Sequence, residues 1–315
     1  MLTREMERLV TEREVPVKEN TLAMQKQHRI VFAVDGSRTA EAALATALKF
    51  PWPASSRVSA VVARSSSWLP AISEQARAAF EISFQAAAAM ARRALSGRWP
   101  ESKVVLADAP PVDAILAEAD RFEASLIVLG WRGHGVFRRL LAGSVSRSVA
   151  ERAQCPVLIV RTAARTIHRF VVGFDGCPNA ERALDLLSSL EPGRGSRVVL
   201  VNVVEPLSVP ASVGRLPSSV RAQLRYEVAA INEERYQQGL ATAAAGAARL
   251  ERAGWKAKAE VRVGAPLASL LKAVADHSGD VLVVGARATS GVERALLGSV
   301  ASGALNASPV VLLVR

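Results

Sequence analysis

The chain has 315 residues, of which 50% are hydrophobic and 5% aromatic, and its formal net charge is +11 at pH 7. This length accommodates two domains with sizeable cores, and no stretch approaches the roughly 18 uninterrupted apolar residues of a membrane span. Because the basic residues are spread along the chain and aromatic residues are few, a nucleic-acid partner is disfavoured.

Residues 1–28 form an extension that precedes the first regular pattern. Its charges alternate in sign and it lacks the apolar core of a signal peptide, so we expect a cytoplasmic protein with no membrane partner. The pattern predicts a helix around residues 2–14 and then a tether. A docking helix and a disordered tail both stay open, but the mixed signs exclude a simple polybasic anchor.

After the extension, short runs rich in Val, Ile and Leu alternate with helical patterns. The first unit has predicted strands at 30–34, 58–63, 102–107, 125–129 and 156–161, and predicted helices after Asp35, at 73–96, at 112–122 and at 144–153. The second unit has strands at 170–174, 198–204, 258–263, 280–284 and 309–315, and helices after Asp175, at 219–253, at 267–277 and at 299–306. Such alternation is typical of a parallel sheet covered by helices on both faces.

The two units are copies of one another. The segment RIVFAVDGSRTAEAAL (29–44) matches RFVVGFDGCPNAERAL (169–184) at an offset of 140, and the later blocks match at 155. The difference between these two offsets means that the second copy has about 15 extra residues, around 205–250. We therefore predict two tandem doubly wound (Rossmann-like) α/β domains with five-stranded sheets: repeat one at 29–161 and repeat two at 165–315.

A glycine-rich loop follows the fourth strand of repeat one, with the spacing Gly130-x2-Gly133-x9-Gly143-Ser144. In open α/β sheets ligands bind at the carboxyl ends of strands, where the strand order reverses. Glycine lets a ligand approach backbone N–H groups closely, and a helix that begins at Ser144 offers free N–H groups to a phosphate. The spacing matches neither a Walker loop nor a GxGxxG fingerprint.

Side chains near this loop have candidate roles. Ser144 is a suitable N-cap, and the Ser146 hydroxyl is placed to donate to a phosphate. Arg132, Arg138 and Arg139 add positive charge, although solvated arginines are the plainer interpretation. His134, between two glycines, fits an exposed loop residue better than a catalytic base, so we name no catalytic residue.

The loop spacing, the strand-Asp-Gly turns at 35–36 and 175–176, and the closing CPVLIVR resemble the universal stress protein family over nearly the whole chain. The resemblance implies a site for ATP, with Mg²⁺ able to accompany the phosphates. It places the Asp35 carboxylate near the ribose and adenine, although a helix N-cap role for Asp35 is equally compatible. The choice between ATP, ADP and cyclic AMP also depends on the resemblance. The candidate nucleotide-binding residues are Ala33, Val34, Asp35, Ala63, Leu129, Gly130, Arg132, Gly133, Gly143, Ser144, Val145 and Ser146.

Repeat two departs from this pattern. Ala288 replaces the second loop glycine, Ala301 replaces Ser146, and the segment from Ser299 to Pro309 indicates a last helix two residues shorter. A methyl group at 288 disfavours a positive φ. We therefore expect a second, weaker site formed by Asp175, Val203, Gly285, Gly298 and Ser299.

Three functions fit these features: an ATP-binding stress-response regulator with at most slow hydrolysis, a pseudo-dimeric scaffold with structural or no nucleotide, and, less favoured, an ATPase or adenylyl-transferring enzyme. Family members dimerise through the last strand, so the resemblance implies that 156–161 and 309–315 meet within one chain and protect two sheet edges. A further homo-oligomer and a protein partner stay open. Cys155 and Cys177 are predicted to be reduced thiols, and no metal site is predicted.

Overall fold

The computed structural model describes residues 27–64, 73–131, 143–286 and 297–315. The predicted strands and helices of both repeats are present, and their ends lie within two residues of the predicted ends. Repeat one contains β1 (Arg29–Ala33), α1 (Arg38–Ala47), β2 (Arg57–Arg64), α2 (Glu74–Ser96), β3 (Lys103–Asp108), α3 (Pro111–Arg121), β4 (Leu126–Gly130), α4 (Ser144–Arg152) and β5 (Val157–Val160). Repeat two contains β6 (Arg169–Gly173), α5 (Pro178–Ser188), β7 (Arg197–Val204), a 3-10 turn (Ala211–Arg215), α6 (Ser218–Arg252), β8 (Lys256–Val263), α7 (Pro266–Asp276), β9 (Val281–Gly285), α8 (Ser299–Ala307) and β10 (Val310–Val314).

The strands of the described ranges form a single sheet in the order β3-β2-β1-β4-β5-β10-β9-β6-β7-β8. Neighbouring strands within each repeat are parallel, as the Val/Ile/Leu runs predicted. In repeat one β1 lies between β2 and β4, so the strand order reverses at β1, and β6 has the same place in repeat two. The crevice at the carboxyl ends of these strands is where the fold predicts a ligand.

Helices cover both faces of this sheet, and side chains of one strand alternate between two apolar cores. Ile30 and Phe32 belong to one core and Val31 to the other, all at 1% exposure or less. Strands buried on both faces need apolar residues at every position rather than at every second one. That requirement explains the uninterrupted apolar runs from which the strands were predicted.

The two repeats join through their fifth strands. β5 and β10 pair antiparallel, with Val160 opposite Val310 and Leu158 opposite Leu312. The repeats also meet where the Phe170 ring of β6 contacts the Phe50 ring of repeat one edge-on, with the ring centroids 5.7 Å apart. The expected intrachain pairing of the fifth strands is thus present, and each sheet edge protects the other from pairing with another chain.

His28, the last residue of the predicted extension, contacts both repeats. Its side chain is 3% exposed, packs against the Trp52 ring at 5.8 Å between centroids, and lies 3.0 Å from the Ser189 hydroxyl of repeat two. This imidazole therefore lies in the joint between the repeats. The predicted helix around 2–14 lies outside the described residues.

Two predictions about the last helices were wrong. α4 and α8 have nine residues each, and the two-residue difference lies in the connection to the next strand. Gly143, not Ser144, is the N-cap of α4, and none of the described side chains caps this helix with a hydrogen bond. The reason is that Gly143 adopts a left-handed conformation (φ 82°, ψ 23°), so the first helical residue is already Ser144.

The extra residues of repeat two fall mainly in one helix. α6 has 35 residues, whereas its counterpart α2 has 23. The buried residues of α6 begin only at Gly239, so its C-terminal part alone packs on the sheet. The remainder of the insertion is the loop that contains the 3-10 turn.

Candidate functional site

The turn after β1 carries the first candidate carboxylate. Oδ1 of Asp35 accepts a hydrogen bond from the Ser37 N–H at 3.0 Å, and the Asp35 side chain is exposed. Gly36 has a φ of 76°, a conformation that glycine adopts without strain. Ser37 is the N-cap of α1, because its hydroxyl oxygen accepts from the Ala40 N–H at 3.1 Å. The alternative N-cap role for Asp35 is therefore wrong: Asp35 shapes the turn, and Ser37 caps the helix.

Gly130 ends β4 directly beside this turn. In the register of the sheet, Ala33 of β1 pairs with Leu129, which brings the ends of the two strands together. A Cβ added at Gly130 would lie 2.5 Å from the backbone carbon of Thr39, in the first turn of α1. Glycine at this position therefore allows the start of α1 to pack on the end of β4.

Gly143 lies on the other side of the glycine-rich loop and meets the Trp131 ring. A Cβ at Gly143 would be 2.9 Å from two carbons of that ring, in addition to requiring φ 82°. The first intrahelical hydrogen bond of α4 runs from the Arg147 N–H to the Gly143 carbonyl at 2.8 Å. The N–H groups of Ser144, Val145 and Ser146 precede that bond, and such groups at a helix start favour an anion.

Ser146 is engaged differently from its predicted role. It is 3% exposed, and its hydroxyl donates to the Gly130 carbonyl at 2.6 Å, with the Trp131 carbonyl at 3.1 Å. A serine hydroxyl has one proton to donate, and in this structure that proton holds the start of α4 against the end of β4. The arrangement differs from the predicted donation to a phosphate and indicates a positioning role.

The end of β2 forms the third wall of the crevice. Ala63 is half-buried there, and the next residue, Arg64, forms an ion pair with Glu81 of α2. The Arg64 guanidinium also lies over the Phe84 ring, 4.7 Å from its centroid. The side-chain hydrogen bonds from Gln85 and Arg64 hold the pKa of Glu81 below its usual range.

Repeat two reproduces the turn after its first strand. Oδ1 of Asp175 accepts from the Cys177 N–H at 3.0 Å, and Gly176 has a φ of 77°. Cys177 takes the N-cap position of Ser37, with its sulfur 3.5 Å from the Ala180 nitrogen. Burial and then the hydrogen bond with Asp175 raise the pKa of the Cys177 thiol.

The end of the glycine-rich loop is built differently in repeat two. Gly298 has an ordinary extended backbone (φ −61°, ψ 159°), and its N–H donates to the Ala286 carbonyl at 2.9 Å. Ala286 occupies the place of Trp131, and the buried Ala301 has no hydroxyl to link helix and strand. Gly285 ends β9, Ser299 begins α8, and Val203 lies near the end of β7, as predicted.

Several predicted positions lie outside the described residues: Arg132, Gly133, His134, Arg138, Arg139 and Ala288. The structure does bring together the ends of the loop in repeat one, the Asp35 turn and the end of β2.

Within the described ranges, no three His, Cys, Asp or Glu side chains cluster in a way that could hold a metal ion. None of the helices in those ranges combines the length and apolarity of a membrane crossing.

The family model of the universal stress proteins matches residues 27–161 and again residues 166–315. The chain belongs to the universal stress protein family. Universal stress protein Rv2005c of Mycobacterium tuberculosis is 30% identical over 204 residues, which cover 61% of this chain and 62% of that relative. The match thus spans less than two thirds of that relative's length. A Thermus aquaticus universal stress protein is 44% identical over 62 residues, covering 20% of this chain and 45% of the relative.

Among solved structures, a universal stress protein from Archaeoglobus fulgidus aligns with a TM-score of 0.59 and 17% identity, covering 90% of this chain and 95% of that chain. This likeness shows the fold. The tandem universal stress protein architecture therefore agrees with the one that the duplicated sequence predicts.

Two residues of this universal stress protein site escaped the sequence analysis. Trp131 is 4% exposed and supports Gly143, and Arg64 lies on the rim beside Ala63. The signal for Trp131 was available, since GWRG in repeat one contrasts with GARA in repeat two. Arg64 carried no such signal, because its partner Glu81 lies on a helix 17 residues later in the chain.

Proposed function

We propose that repeat one binds ATP at the carboxyl ends of β1, β2 and β4, and that occupancy of this site regulates the protein in a stress response. The observation that carries the proposal is the left-handed Gly143, packed against Trp131, directly before the N–H groups of Ser144, Val145 and Ser146, which precede the first intrahelical hydrogen bond of α4. A helix start of this kind favours a phosphate. Family membership supports the same assignment.

In this proposal the phosphates lie against the N–H groups of Ser144, Val145 and Ser146, and Gly130, Arg132 and Gly133 also contribute to binding them. The Asp35 carboxylate accepts hydrogen bonds from the ribose hydroxyls. Adenine lies along the backbone near Ala33, Val34, Ala63 and Leu129. Mg²⁺ accompanies the phosphates without dedicated protein carboxylates.

Repeat two is proposed to bind nucleotide more weakly, through Asp175, Val203, Gly285, Gly298 and Ser299. Its Asp175 turn matches that of repeat one, which supports a retained adenosine half. The Gly298 N–H donates to the Ala286 carbonyl, so this N–H group is not available to a phosphate. We keep the domains at 29–161 and 165–315, the extension at 1–28 and the cytoplasmic location as predictions.

Hydrolysis is proposed to be slow, since amide groups and arginines stabilise phosphate charge without supplying a base.

A scaffold is the second candidate function. It is favoured by the antiparallel pairing of β5 with β10, which already forms a dimer-like body inside one chain. Release of nucleotide on heating the purified protein separates these functions: bound ATP supports the regulator, no nucleotide supports the scaffold, and sustained turnover supports an enzyme.

The decisive test is a matched pair of variants, Asp35→Asn and Asp175→Asn, titrated with ATP by calorimetry. An asparagine oxygen still accepts from the Ser37 or Cys177 N–H, so the turn is kept while the charge is removed. We expect Asp35→Asn to weaken the tighter ATP site at least about tenfold. Asp175→Asn is expected to leave that site unchanged. An unchanged tight site in Asp35→Asn would overturn the assignment to repeat one.

A further inference from the structure

An open cleft of about 610 Å³ lies at the opposite edge of the sheet, at the amino ends of the repeat-two strands. Arg169 begins β6, Arg197 begins β7, and the two residues pair in register. The turn before β7 contributes Arg194, and the end of α7 contributes His277. Among the described residues, the cleft is also lined by Thr166, His168, Gly195, Asp276 and Ser278.

The carboxylates around this cleft are bound to other groups. Asp280 accepts from the Arg169 guanidinium at 2.8 Å and from the His168 N–H at 2.9 Å. Burial raises the pKa of Asp280, but hydrogen bonds from Arg169 and from the backbone outweigh it, so this pKa lies below its usual value. Asp276, the carboxylate that lines the cleft within the described ranges, pairs with Arg262 at 2.8 Å.

His277 is anchored from behind the cleft. Its Nε2 lies 2.6 Å from Oε2 of Glu260, and the same carboxylate accepts from Nε of Arg262 at 2.6 Å. Burial raises the pKa of Glu260, but the hydrogen bonds from His277 and Arg262 bring it below its usual value. The Glu260 charge is therefore satisfied by these two partners and not by the arginines of the cleft.

Arg194 and Arg197 are different, because no ion pair joins either guanidinium to a carboxylate in the described part of the chain. Both line the cleft and both are exposed. The turn places Arg194 at its tip: the Ser196 N–H donates to the Gly193 carbonyl at 3.0 Å, and Gly195 has a φ of 86°. Two cations thus face the cleft beside the already paired Arg169.

Repeat one lacks this arrangement, although its matching turn is closed by the same backbone hydrogen bond. The matching turn has the Ser56 N–H donating to the Pro53 carbonyl at 3.0 Å, but Ala54 occupies the tip. Phe122 stands in place of His277, and its ring lies under the Arg29 guanidinium at 5.4 Å. Glu123 stands in place of Ser278 and pairs with Arg29.

Repeat two also has acidic residues near this cleft at positions where repeat one has none, but their carboxylates are paired with arginines. Asp276 and Asp280 replace Arg121 and Ser125, and they hold Arg262 and Arg169 respectively. The carbonyls at the end of α7 accept from the N–H groups of His277, Ser278 and Gly279. The negative end of this helix is therefore capped, and the positive charge of Arg194 and Arg197 is not cancelled.

We propose that this cleft binds a phosphate group, either free or carried on a small molecule, held by the Arg194 and Arg197 guanidiniums with Ser278 and His168 at its sides. Guanidinium groups match a phosphate through paired N–H donors. The site is separate from the nucleotide crevice, because it lies at the amino rather than the carboxyl ends of the strands. It would stand even if repeat one bound no nucleotide.

The test follows the histidine ring signals by NMR at fixed pH and ionic strength while inorganic phosphate is added. The chain has four histidines, so His168 and His277 report on the cleft, His28 on the joint between repeats, and His134 on the glycine-rich loop. We expect saturable shifts at His168 and His277 and none at His28. A second titration uses glucose 6-phosphate. The ligand whose shifts saturate at the lower concentration, free phosphate or the phosphate monoester, is the one that the cleft prefers.

The variants Arg194→Ala and Arg197→Gln are each expected to weaken these shifts about tenfold or more. The matched control is Arg57→Gln, which removes the counterpart of Arg197 in repeat one and should leave the shifts unchanged. Because all three positions are exposed, the variants are expected to fold. Shifts that grow linearly without saturation, that persist in both cleft variants, or that appear only at His134 would overturn the proposal.

Discussion

The glycine-rich loop ends in the same Gly-Ser pair in both repeats, and yet the backbone conformation of this glycine differs between them. Gly143 is left-handed at φ 82°, whereas Gly298 is extended at φ −61°. The difference follows from the residue after the preceding strand, Trp131 in repeat one and Ala286 in repeat two. A Cβ at Gly143 would lie only 2.9 Å from carbons of the Trp131 ring, whereas Ala286 accepts a hydrogen bond from the Gly298 N–H at its backbone carbonyl.

The two repeats thus share the Gly-Ser motif, but the shared motif does not mean that both positions require glycine. Glycine at 143 is needed both for its φ and for its missing side chain, whereas the backbone at 298 is open to other residues. The two repeats of one chain therefore provide matched controls for one another, with the same fold around each position.

The largest effect is expected for Gly143→Ala, which should lower the free energy of unfolding by about 2–4 kcal/mol. The left-handed backbone and the overlap with the Trp131 ring both contribute to this loss. Gly298→Ala should change stability by less than about 1 kcal/mol. Urea unfolding of both variants measures the difference, and equal losses would show that the two loop ends have the same conformation.

Ser146→Ala is expected to lower the free energy of unfolding by about 1–3 kcal/mol, because the Gly130 carbonyl loses its buried donor. Ser144→Ala, at an exposed position of the same turn, should stay within about 0.5 kcal/mol. Calorimetric ATP titration completes the test. A variant of Ser146 with full stability but weakened ATP affinity would restore the role of a direct phosphate donor.

A smaller effect is expected where the N-caps differ. Cys177→Ser should stabilise the protein by about 0.5–1 kcal/mol, because a hydroxyl oxygen accepts the Ala180 N–H better than sulfur does. The exchange Ser37→Cys should lose a similar amount in repeat one. Thermal or urea unfolding of the two single variants measures both signs, and a loss in Cys177→Ser would contradict the capping geometry.

The smallest effect concerns the joint between the repeats. Burial lowers the pKa of His28 below its usual 6.5, and the hydrogen bond that its ring donates to the Ser189 backbone carbonyl opposes this shift only in part. The unfolded chain then binds the proton first, so this contribution to stability is complete above about pH 6.5 and declines as the pH falls below it. Urea midpoints at pH 7.5 and 5.5 should differ less in His28→Gln than in the parent. The exposed His168→Gln is the control and should keep the parental difference.

The order of elements, the duplication and the parallel sheet were predictable from the sequence alone. Strands such as Leu126–Gly130 are buried on both faces, so their apolar residues are contiguous and easily recognised. Glycine after such a strand, followed later by Gly-Ser before a helical pattern, also locates the ends of the loop. These signals are local, since each depends on residues close together in the chain.

What the tertiary structure decided depends on contacts between distant residues. The Ser146 hydroxyl turns to the Gly130 carbonyl, 16 residues earlier, and His28 fills a joint with Ser189, 161 residues later. Whether an arginine such as Arg169 is paired or, like Arg194, faces a cleft depends on where Asp280 lies in the fold. Hydrogen bonding and burial act over a few ångströms in space, so a chain that reveals its strands by their apolar runs does not reveal these partners.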